Sequence, residues 1–223
     1  APGTVSPRRS DTRAARENSR RSETVPGAWR PEVLNKERIM TEKRKPLVAI
    51  VMGSDSDLPT MSETKKMLDS FDVPYVTRIT SAHRSPKKTH ELVEALEGEG
   101  VQVFVVGAGL AAHLAGVVAS ITTLPVIGVP MEGGSLKGID ALYSTVQMPG
   151  GVPVATMAIG KHGAKNAGVL AVQVLALNDS GLRERLLSYK RELEDSVEEK
   201  DRRLTEELMN TAEAVEELTR EGS

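Results

Sequence analysis

The sequence predicts an α/β fold in which a five-stranded parallel sheet carries helices on both faces. The first observation is a set of five short apolar runs: LVAIVM (47–52), YVTRIT (75–80), VQVFVV (101–106), PVIGV (125–129) and VPVATM (152–157). Several runs are apolar on both faces, as strands buried beneath two layers of helices must be. The second observation is a set of helix-length segments that follow the runs: 58–70, 86–98, 110–121, about 136–146 and 163–177. Alternation with short connections implies right-handed crossovers, so we predict a three-layer sandwich of flavodoxin-like type.

The chain divides into three segments of different composition. Residues 1–45 are polar, rich in Arg, Ser and Pro, and without a sustained hydrophobic period. Such a stretch buries too little apolar area to offset its ordering entropy, so we predict a disordered N-terminal extension. Residues 46–178 carry the strand–helix alternation and form the predicted catalytic domain. Residues 179–223 form a C-terminal extension that we predict to be one long helix.

The predicted C-terminal helix has an apolar stripe along its length. Its members recur every three or four residues, with Lys200 and Thr211 interrupting: Leu182, Leu186, Tyr189, Leu193, Val197, Leu204, Leu208, Val215 and Leu218. A helix of this length reaches about 60 Å, longer than the domain that precedes it. Such a stripe needs a partner surface. We expect it to dock onto a neighbouring subunit; a free coiled coil and packing against its own domain remain open alternatives.

Composition excludes several classes of protein. The net charge of -2 provides no general attraction to nucleic acid or anionic lipid, and aromatic residues make up only 3% of the chain. The sequence contains no cysteine and no apolar run near the roughly 20 residues that span a bilayer. The four histidines, His83, His90, His113 and His162, show no metal-ligand spacing. We therefore expect a cytoplasmic protein with no metal and with neither nucleic acid nor membrane as a partner.

The candidate functional residues follow the first three strands, because ligands of open parallel sheets gather at the carboxyl ends of the strands. After the first strand, in MGSDSD (52–57), Gly53 frees the backbone and Ser54 and Ser56 offer hydroxyls. Ser56 or Asp57 stands at a position suited to cap the next helix. Hydroxyls and free amides suit a phosphate, and a carboxylate suits ribose hydroxyls. A plain capping loop explains the same residues.

After the second strand comes the segment ITSAHRSP (79–86). Pro86 suits the first position of a helix, with Ser85 as its cap. Arg84 can hold a phosphate with its planar fork, and Ser81 can add a hydroxyl. His83 is the group here able to give and take protons near neutral pH. We interpret this loop as a phosphate anchor beside a proton-transfer residue, rather than as solvated surface.

After the third strand comes GAGLAAHLAG (107–116). Gly107 and Gly109 allow a ligand to approach the backbone closely. The segment also fits a loose dinucleotide fingerprint, with Glu132 as a possible ribose acid, although small residues packed against a sheet explain it equally well. His113, four residues into the predicted helix, is either a catalytic residue or a buried hydrogen-bonding histidine.

Taken in order, six segments resemble the class I, bacterial-type N5-carboxyaminoimidazole ribonucleotide mutases of purine biosynthesis. The segments are MGSDSD, SAHRSP, GAGLAAHLAG, LPVIGVP, DALYSTVQMPGGVPVATMAIG and GAKNAG. The resemblance covers residues 47–178; MEGGSLKG (131–138) departs from the family's usual sequence. It implies an isomerase that moves a carboxylate from an exocyclic amine of a ribonucleotide to the adjacent ring carbon, without a cofactor. Direct carboxylation with carbon dioxide, which animal-type relatives perform, and a non-catalytic nucleotide-binding protein are the alternatives.

The resemblance also implies roles for particular residues and an assembly. His83 is then the acid/base. Ser54, Ser81 and Arg84 hold the phosphate, and Asp57 holds the ribose. The remaining substrate-binding residues line the carboxylate pocket: Ala108, Gly109, His113 and Leu114. The subunit is expected to form a homo-octamer with active sites at subunit junctions, and Ala111, Ala112 and Leu114 are expected to keep the pocket dry while carbon dioxide is free.

Overall fold

The computed structural model of the protein describes residues 44–221, with side chains described as far as residue 211. The predicted N-terminal extension therefore lies, except for its last two residues, outside the described part. Five strands are present: β1 (Val48–Met52), β2 (Tyr75–Ile79), β3 (Val103–Ala108), β4 (Val126–Pro130) and β5 (Ala155–Thr156). Six α-helices accompany them in these residues: α1 (Leu58–Ser70), α2 (Pro86–Glu99), α3 (Leu114–Ile121), α4 (Ile139–Val146), α5 (Lys161–Leu175) and α6 (Ser180–Glu221).

The sheet has the order β2-β1-β3-β4-β5, and every pair of neighbouring strands is parallel. This order is the flavodoxin-like one, in which the chain reverses its direction of winding between β1 and β3. The predicted fold class is confirmed. In the register of the sheet, Met52 at the end of β1 lies beside Ile79 of β2 and Gly107 of β3. The loops after these three strands therefore leave the sheet side by side.

Two apolar cores cover the two faces of the sheet. One face packs against α1, α5 and the start of α6, with Ile50 and Leu68 among its fully buried residues. The other face packs against α2, α3 and α4, with Phe104 and Val118 fully buried. β1, β3 and β4 are buried along their whole length. Burial on both sides is the physical reason that their sequences are continuous apolar runs.

Several predicted elements differ from the structure at their ends. The run 152–157 contributes only the two-residue strand β5, because Pro153 has no N–H for a strand ladder and the chain is still in a turn before it. The segment 110–121 becomes helical only at Leu114. Leu110 has a left-handed φ of 55°, and the N–H of His113 donates to the carbonyl of Ala111 in a turn. The segment 163–177 forms α5 two residues earlier than predicted.

The long helix α6 begins on its own domain. The carboxylate of Asp179 accepts the N–H of Leu182 at 2.9 Å, which caps the first turn. Leu182 is buried, and Leu186 and Tyr189 pack against the same core, with the rings of Tyr189 and Phe71 edge to face at 5.5 Å. The first turns of α6 thus pack against the domain that precedes them in the same chain, which is one of the alternatives that the sequence left open. Within residues 44–221, no helix combines the length and apolarity that crossing a bilayer requires.

Two helical glycines, one in α5 and one in α2, give a matched test of how closely the helices pack against the rest of the chain. A Cβ on Gly163, in the first turn of α5, would overlap the carbonyl oxygen of Ala158. A Cβ on Gly98 in α2 would meet nothing within 4 Å. We expect G98A to raise the free energy of unfolding by up to about 1 kcal/mol, since alanine is the better helix former.

We expect G163A, in contrast, to lower the free energy of unfolding by more than about 2 kcal/mol, because backbone must shift to admit the methyl group. Urea unfolding followed by circular dichroism measures both variants. Equal stability of G163A and the parent protein would contradict the described contact between α5 and the loop before it.

Candidate active site

The site lies where the loops after β1, β2 and β3 leave the same edge of the sheet. Two hydrogen bonds tie these loops together at their base. The N–H of Gly53 donates to the carbonyl of Gly107 at 3.1 Å, and the N–H of Thr80 donates to the carbonyl of Met52 at 3.0 Å. The sheet order alone brings these chain segments together, because β1 lies between β2 and β3.

The loop after β1 forms a short 3-10 turn, Asp55–Asp57, before α1. Ser54 caps this turn: its hydroxyl accepts the N–H of Ser56 at 3.3 Å, while the Asp57 carboxylate accepts the N–H of Ser54 at 3.2 Å. Asp57, one of the two residues expected at the cap position of α1, is the residue just before that helix, but its side chain makes no capping hydrogen bond to it. Burial raises the pKa of Asp57 above its usual value, and the hydrogen bond from the Ser54 backbone opposes the rise.

The loop after β2 is held by side-chain bonds within the segment. The hydroxyl of Ser81 accepts the backbone N–H of Arg84 at 3.1 Å and lies 3.4 Å from its Nε. Ser85 is, as predicted, the cap residue before Pro86 at the start of α2, but its side chain makes no capping hydrogen bond to that helix. Its hydroxyl instead donates to the carbonyl of Ser81 and accepts the N–H of Ser81, each at 3.2 Å. The result is a closed turn from which the side chains of His83 and Arg84 project to the surface.

Arg84 reaches from this loop to the loop after β1. Its guanidinium Nη2 lies 3.5 Å from the carbonyl oxygen of Gly53, one residue before Ser54. Ser54, Ser81 and Arg84 therefore lie around one small, solvent-accessible region of the sheet edge. The two serines supply hydroxyls there, and the arginine supplies a cation. Such a group of donors suits a phosphate or another compact anion.

The two histidines named from the sequence meet. The Nε2 of His83 lies 2.6 Å from the Nδ1 of His113, and the ring centroids are 4.7 Å apart at an interplanar angle of 74°. In a hydrogen bond between two ring nitrogens one nitrogen donates and the other accepts, and the tautomers of the two rings decide which is the donor. Both rings are exposed at the surface. The pair is therefore placed to exchange a proton with a bound molecule.

The segment after β3 supplies the wall next to the pair. His113 is the residue just before α3, not four residues inside a helix as predicted, and this terminal place lets its ring turn toward His83. Ala108, Ala112 and Leu114 are buried and Gly109 is half-buried, but Ala111 is exposed. The expectation that Ala111 helps to enclose the pocket is wrong for the single subunit. Glu132, the possible ribose acid of the dinucleotide alternative, is exposed beyond β4.

Two buried hydroxyls beneath the site were not found from the sequence. Thr80 directly follows β2, and Thr89 lies one turn into α2. Their hydroxyl oxygens are 2.8 Å apart. Thr89 also donates to the carbonyl of Ser85 at 3.1 Å. The pair fastens both ends of the loop that carries His83 and Arg84. The available signal was a threonine on the apolar face of a helix, where a valine would otherwise be expected.

The fold and the site define a flavodoxin-like α/β protein with a histidine pair and an exposed arginine at the carboxyl edge of its sheet. The sequence model of the family described as AIR carboxylase matches residues 47–196. The chain is 49% identical over 168 residues to N5-carboxyaminoimidazole ribonucleotide mutase of Pyrococcus horikoshii, covering 75% of this chain and 94% of that protein. The chain belongs to the AIR carboxylase family.

Further relatives agree with this membership. The mutase of the same name from Escherichia coli is 47% identical over 159 residues, which cover 71% of this chain and 94% of that protein. A crystal structure of Treponema denticola PurE superposes with a TM-score of 0.66 at 29% identity, and covers 71% of this chain and 98% of that one. In each comparison the match accounts for nearly all of the relative but leaves about a quarter of this chain outside it.

The threonine pair gives a test of how the loop is anchored. We expect T89V to lower the free energy of unfolding by about 1–3 kcal/mol, because the buried Thr80 hydroxyl and the Ser85 carbonyl each lose a partner. The double variant T80V/T89V should recover part of this loss, since the two hydroxyls are then removed together. Urea unfolding of the parent, single and double variants gives the coupling energy. Strictly additive losses would contradict a direct bond between the two hydroxyls.

Proposed function

We propose that the protein is an isomerase of purine biosynthesis that converts N5-carboxyaminoimidazole ribonucleotide to 4-carboxyaminoimidazole ribonucleotide. Family membership and the name shared by relatives at about half identity support the reaction. The contact between His83 and His113, beside the Arg84 guanidinium, is the observation that carries the assignment of the site. The two histidines can transfer a proton and the guanidinium can bind an anion, and these groups lie together at one edge of the sheet.

The proposed reaction needs one proton delivered and one removed. Protonation of the exocyclic nitrogen releases the carbamate as carbon dioxide, and the ring carbon then attacks the trapped gas. The new bond leaves the ring carbon tetrahedral, so its hydrogen must depart to restore aromaticity. His83 performs both transfers, first as acid and then as base, and the net proton count is zero. The neighbouring His113 ring lies within hydrogen-bond distance of His83 and orients its imidazole.

The proposed substrate contacts are those that the family resemblance implies, and the grouping of polar side chains at the sheet edge supports them. The phosphate lies against Arg84, Ser81 and Ser54, and the ribose hydroxyls donate to the Asp57 carboxylate. The carboxylate that migrates lies against the backbone of Ala108 and Gly109, close to His113 and Leu114. Contacts to the phosphate are remote from the reacting carbon, and their binding energy positions the ring against the carbon dioxide.

The proposed assembly is a homo-octamer of a cytoplasmic protein, with each site completed at a subunit junction. Exposed apolar side chains on α4 and in the loop before it support an interface there: Leu136, Ile139, Tyr143 and Val146. His113 also borders a shallow groove between α3 and the turn after α4, which Met148 and Val152 line. A neighbouring subunit on this surface adjoins the histidine pair and limits access of water to it.

The function is tested by supplying the two possible substrates separately. With N5-carboxyaminoimidazole ribonucleotide we expect turnover, followed by the absorbance of the carboxylated imidazole. With the uncarboxylated nucleotide and bicarbonate we expect a far slower reaction, because this route has no carbamate to release carbon dioxide inside the site. Faster turnover on the second pair would identify a direct carboxylase, and binding without turnover on either would identify a non-catalytic nucleotide-binding protein.

The same assay tests His83. We expect H83N to lose about 10²–10⁴-fold in kcat, the range for removal of a general acid/base, with KM much less affected. H90N is the matched control, because His90 lies exposed on α2 and pairs only with Glu94 at 3.5 Å among the described residues. Near-normal turnover of H83N would exclude its proposed role.

Removal of the Arg84 side chain tests the anion site. We expect R84A to weaken nucleotide binding by about 10- to 150-fold, which corresponds to the 1.5–3 kcal/mol of a hydrogen bond to a charged group. R44A is the matched control, since Arg44 is a surface arginine paired with Asp72 at 2.7 Å. Isothermal titration with the ribonucleotide and with its dephosphorylated nucleoside measures the effect. Equal losses for the two ligands in R84A would contradict a phosphate contact.

A further inference from the structure

Leu110, in the segment after β3, has a backbone conformation that leucine rarely adopts. Its φ is 55°, in the left-handed region, where a Cβ crowds the following carbonyl oxygen and glycine is favoured. The side chain is 58% exposed, so burial within the subunit does little to offset this strain. Strained residues of this kind persist where surrounding contacts hold them, and they are concentrated at functional sites. The contacts of Leu110 therefore indicate what the strain maintains.

The side chain of Leu110 reaches the loop after β4. A Cβ built on Gly134 would lie 2.6 Å from Cδ2 of Leu110, which is too close for two carbon atoms that are not bonded. The methyl group of Leu110 therefore occupies space that is open because Gly134 has no side chain. Gly134 itself has a left-handed φ of 64°. A leucine in one loop thus fits against a glycine in the other, and both have the backbone conformation that glycine favours.

This contact spans a gap between the two loops. The N–H of Met131 donates to the carbonyl of Ala108 at 2.9 Å, which extends the pairing of β3 and β4 by one bond. Beyond that bond, no backbone hydrogen bond joins residues 109–113 to residues 132–138, and the structure describes both of these ranges in full. The Leu110 side chain therefore connects two loops that the sheet no longer holds together.

The gap lies at one side of the candidate active site. The order of the sheet places the loops along its edge in the order β2, β1, β3 and β4. Arg84, in the loop after β2, reaches the loop after β1 at Gly53. The contact between His83 and His113 joins the loop after β2 to the segment after β3. The Leu110 contact comes next along the edge, on the side of the site that faces away from Arg84.

We infer that Leu110 is a positioning residue that closes the β4 side of the carboxylate pocket and so retains carbon dioxide between its release and its recapture. The inference rests on the proposed function, in which the migrating carboxylate lies against the backbone of Ala108 and Gly109, directly before Leu110. Carbon dioxide is small and uncharged, so no ion pair holds it, and it stays only where the walls of the pocket leave no opening. The methyl groups of leucine fill the gap and offer water no hydrogen-bonding partner.

Retention is measured with substrate that carries an isotopic carbon label in the migrating carboxylate, in buffer with unlabelled bicarbonate. Carbon dioxide that stays in the site gives labelled product, whereas carbon dioxide that escapes leaves uncarboxylated nucleotide or unlabelled product. After subtraction of the enzyme-free decomposition, we expect the parent protein to retain nearly all of the label and L110A to lose a several-fold larger fraction. The KM should change little, because the phosphate contacts are intact. L177A is the matched control, since Leu177 is an exposed leucine after α5, at the opposite edge of the sheet.

The variant L110G separates retention of carbon dioxide from stability. L110A and L110G both remove the contact with Gly134, but alanine keeps the unfavourable left-handed backbone, whereas glycine relieves it. L110G should therefore be more stable than L110A in urea unfolding and yet lose as much label. A role of Leu110 in stability alone predicts a different result, because label loss would then follow stability and L110G would retain more label than L110A.

A second pair of variants moves the leucine without replacing it. G134A places a methyl group where Cδ2 of Leu110 lies, and it should raise the label loss. G133A is its control, because a Cβ on Gly133 would meet nothing within 4 Å. In the L110A background, G134A should add little further loss, since both changes act on one contact.

The outcomes separate this inference from the proposed function. Equal label retention by L110A and a parent protein that turns over normally would overturn the inference and leave the proposed function in place. Equal label loss in G133A and G134A, or clearly better retention by L110G than by L110A, would overturn it in the same way. A parent protein that does not turn over N5-carboxyaminoimidazole ribonucleotide would overturn the proposed function, and the inference with it.

Discussion

The arrangement of the site depends on one constraint: β1 lies between β2 and β3 in a sheet whose strands all run the same way. Because the strands are parallel and in the observed register, their carboxyl ends stop at one edge. Residues 30 positions apart in the sequence, His83 and His113, then meet at 2.6 Å. Any other neighbour for β1 would place the loop after β2 or the loop after β3 a strand's width further away, beyond a hydrogen bond.

Within that constraint, hydrogen bonds inside the loops decide where individual side chains point. The segment from Ser81 to Ser85 closes on itself through two serine hydroxyls, and the Thr80–Thr89 pair anchors it in the core. A loop with so many internal bonds needs little ordering when a ligand binds, which lowers the entropic cost of the contact. The exposed His83 and Arg84 are thus held by buried or half-buried neighbours, of which the Thr80–Thr89 pair lies beneath the site.

The sequence predicted the strands and the sheet edge well, because both follow from the burial of apolar runs and from the handedness of crossovers. It located His83 and Arg84 in the loop after β2, and His113 in the segment after β3, for the same reason. It did not predict that His113 precedes α3, since Leu110 has a left-handed φ of 55°, a conformation that leucine rarely adopts. The sequence placed Ser85 correctly at the cap position of α2, but it did not predict that the Ser85 hydroxyl bonds to the backbone of Ser81, because that partner depends on how the loop closes.

The exposure of the site in one subunit has a chemical consequence. Free carbon dioxide beside His83 would escape, or the carbamate would be lost to water, unless the pocket is closed during the reaction. Ala111, on the open side, does not close it. The nearby apolar side chains of α4, among them Tyr143, are exposed in the subunit and are costly to leave in water. Covering them with a neighbouring subunit meets both requirements at once, so the proposed reaction and the proposed assembly depend on the same surface.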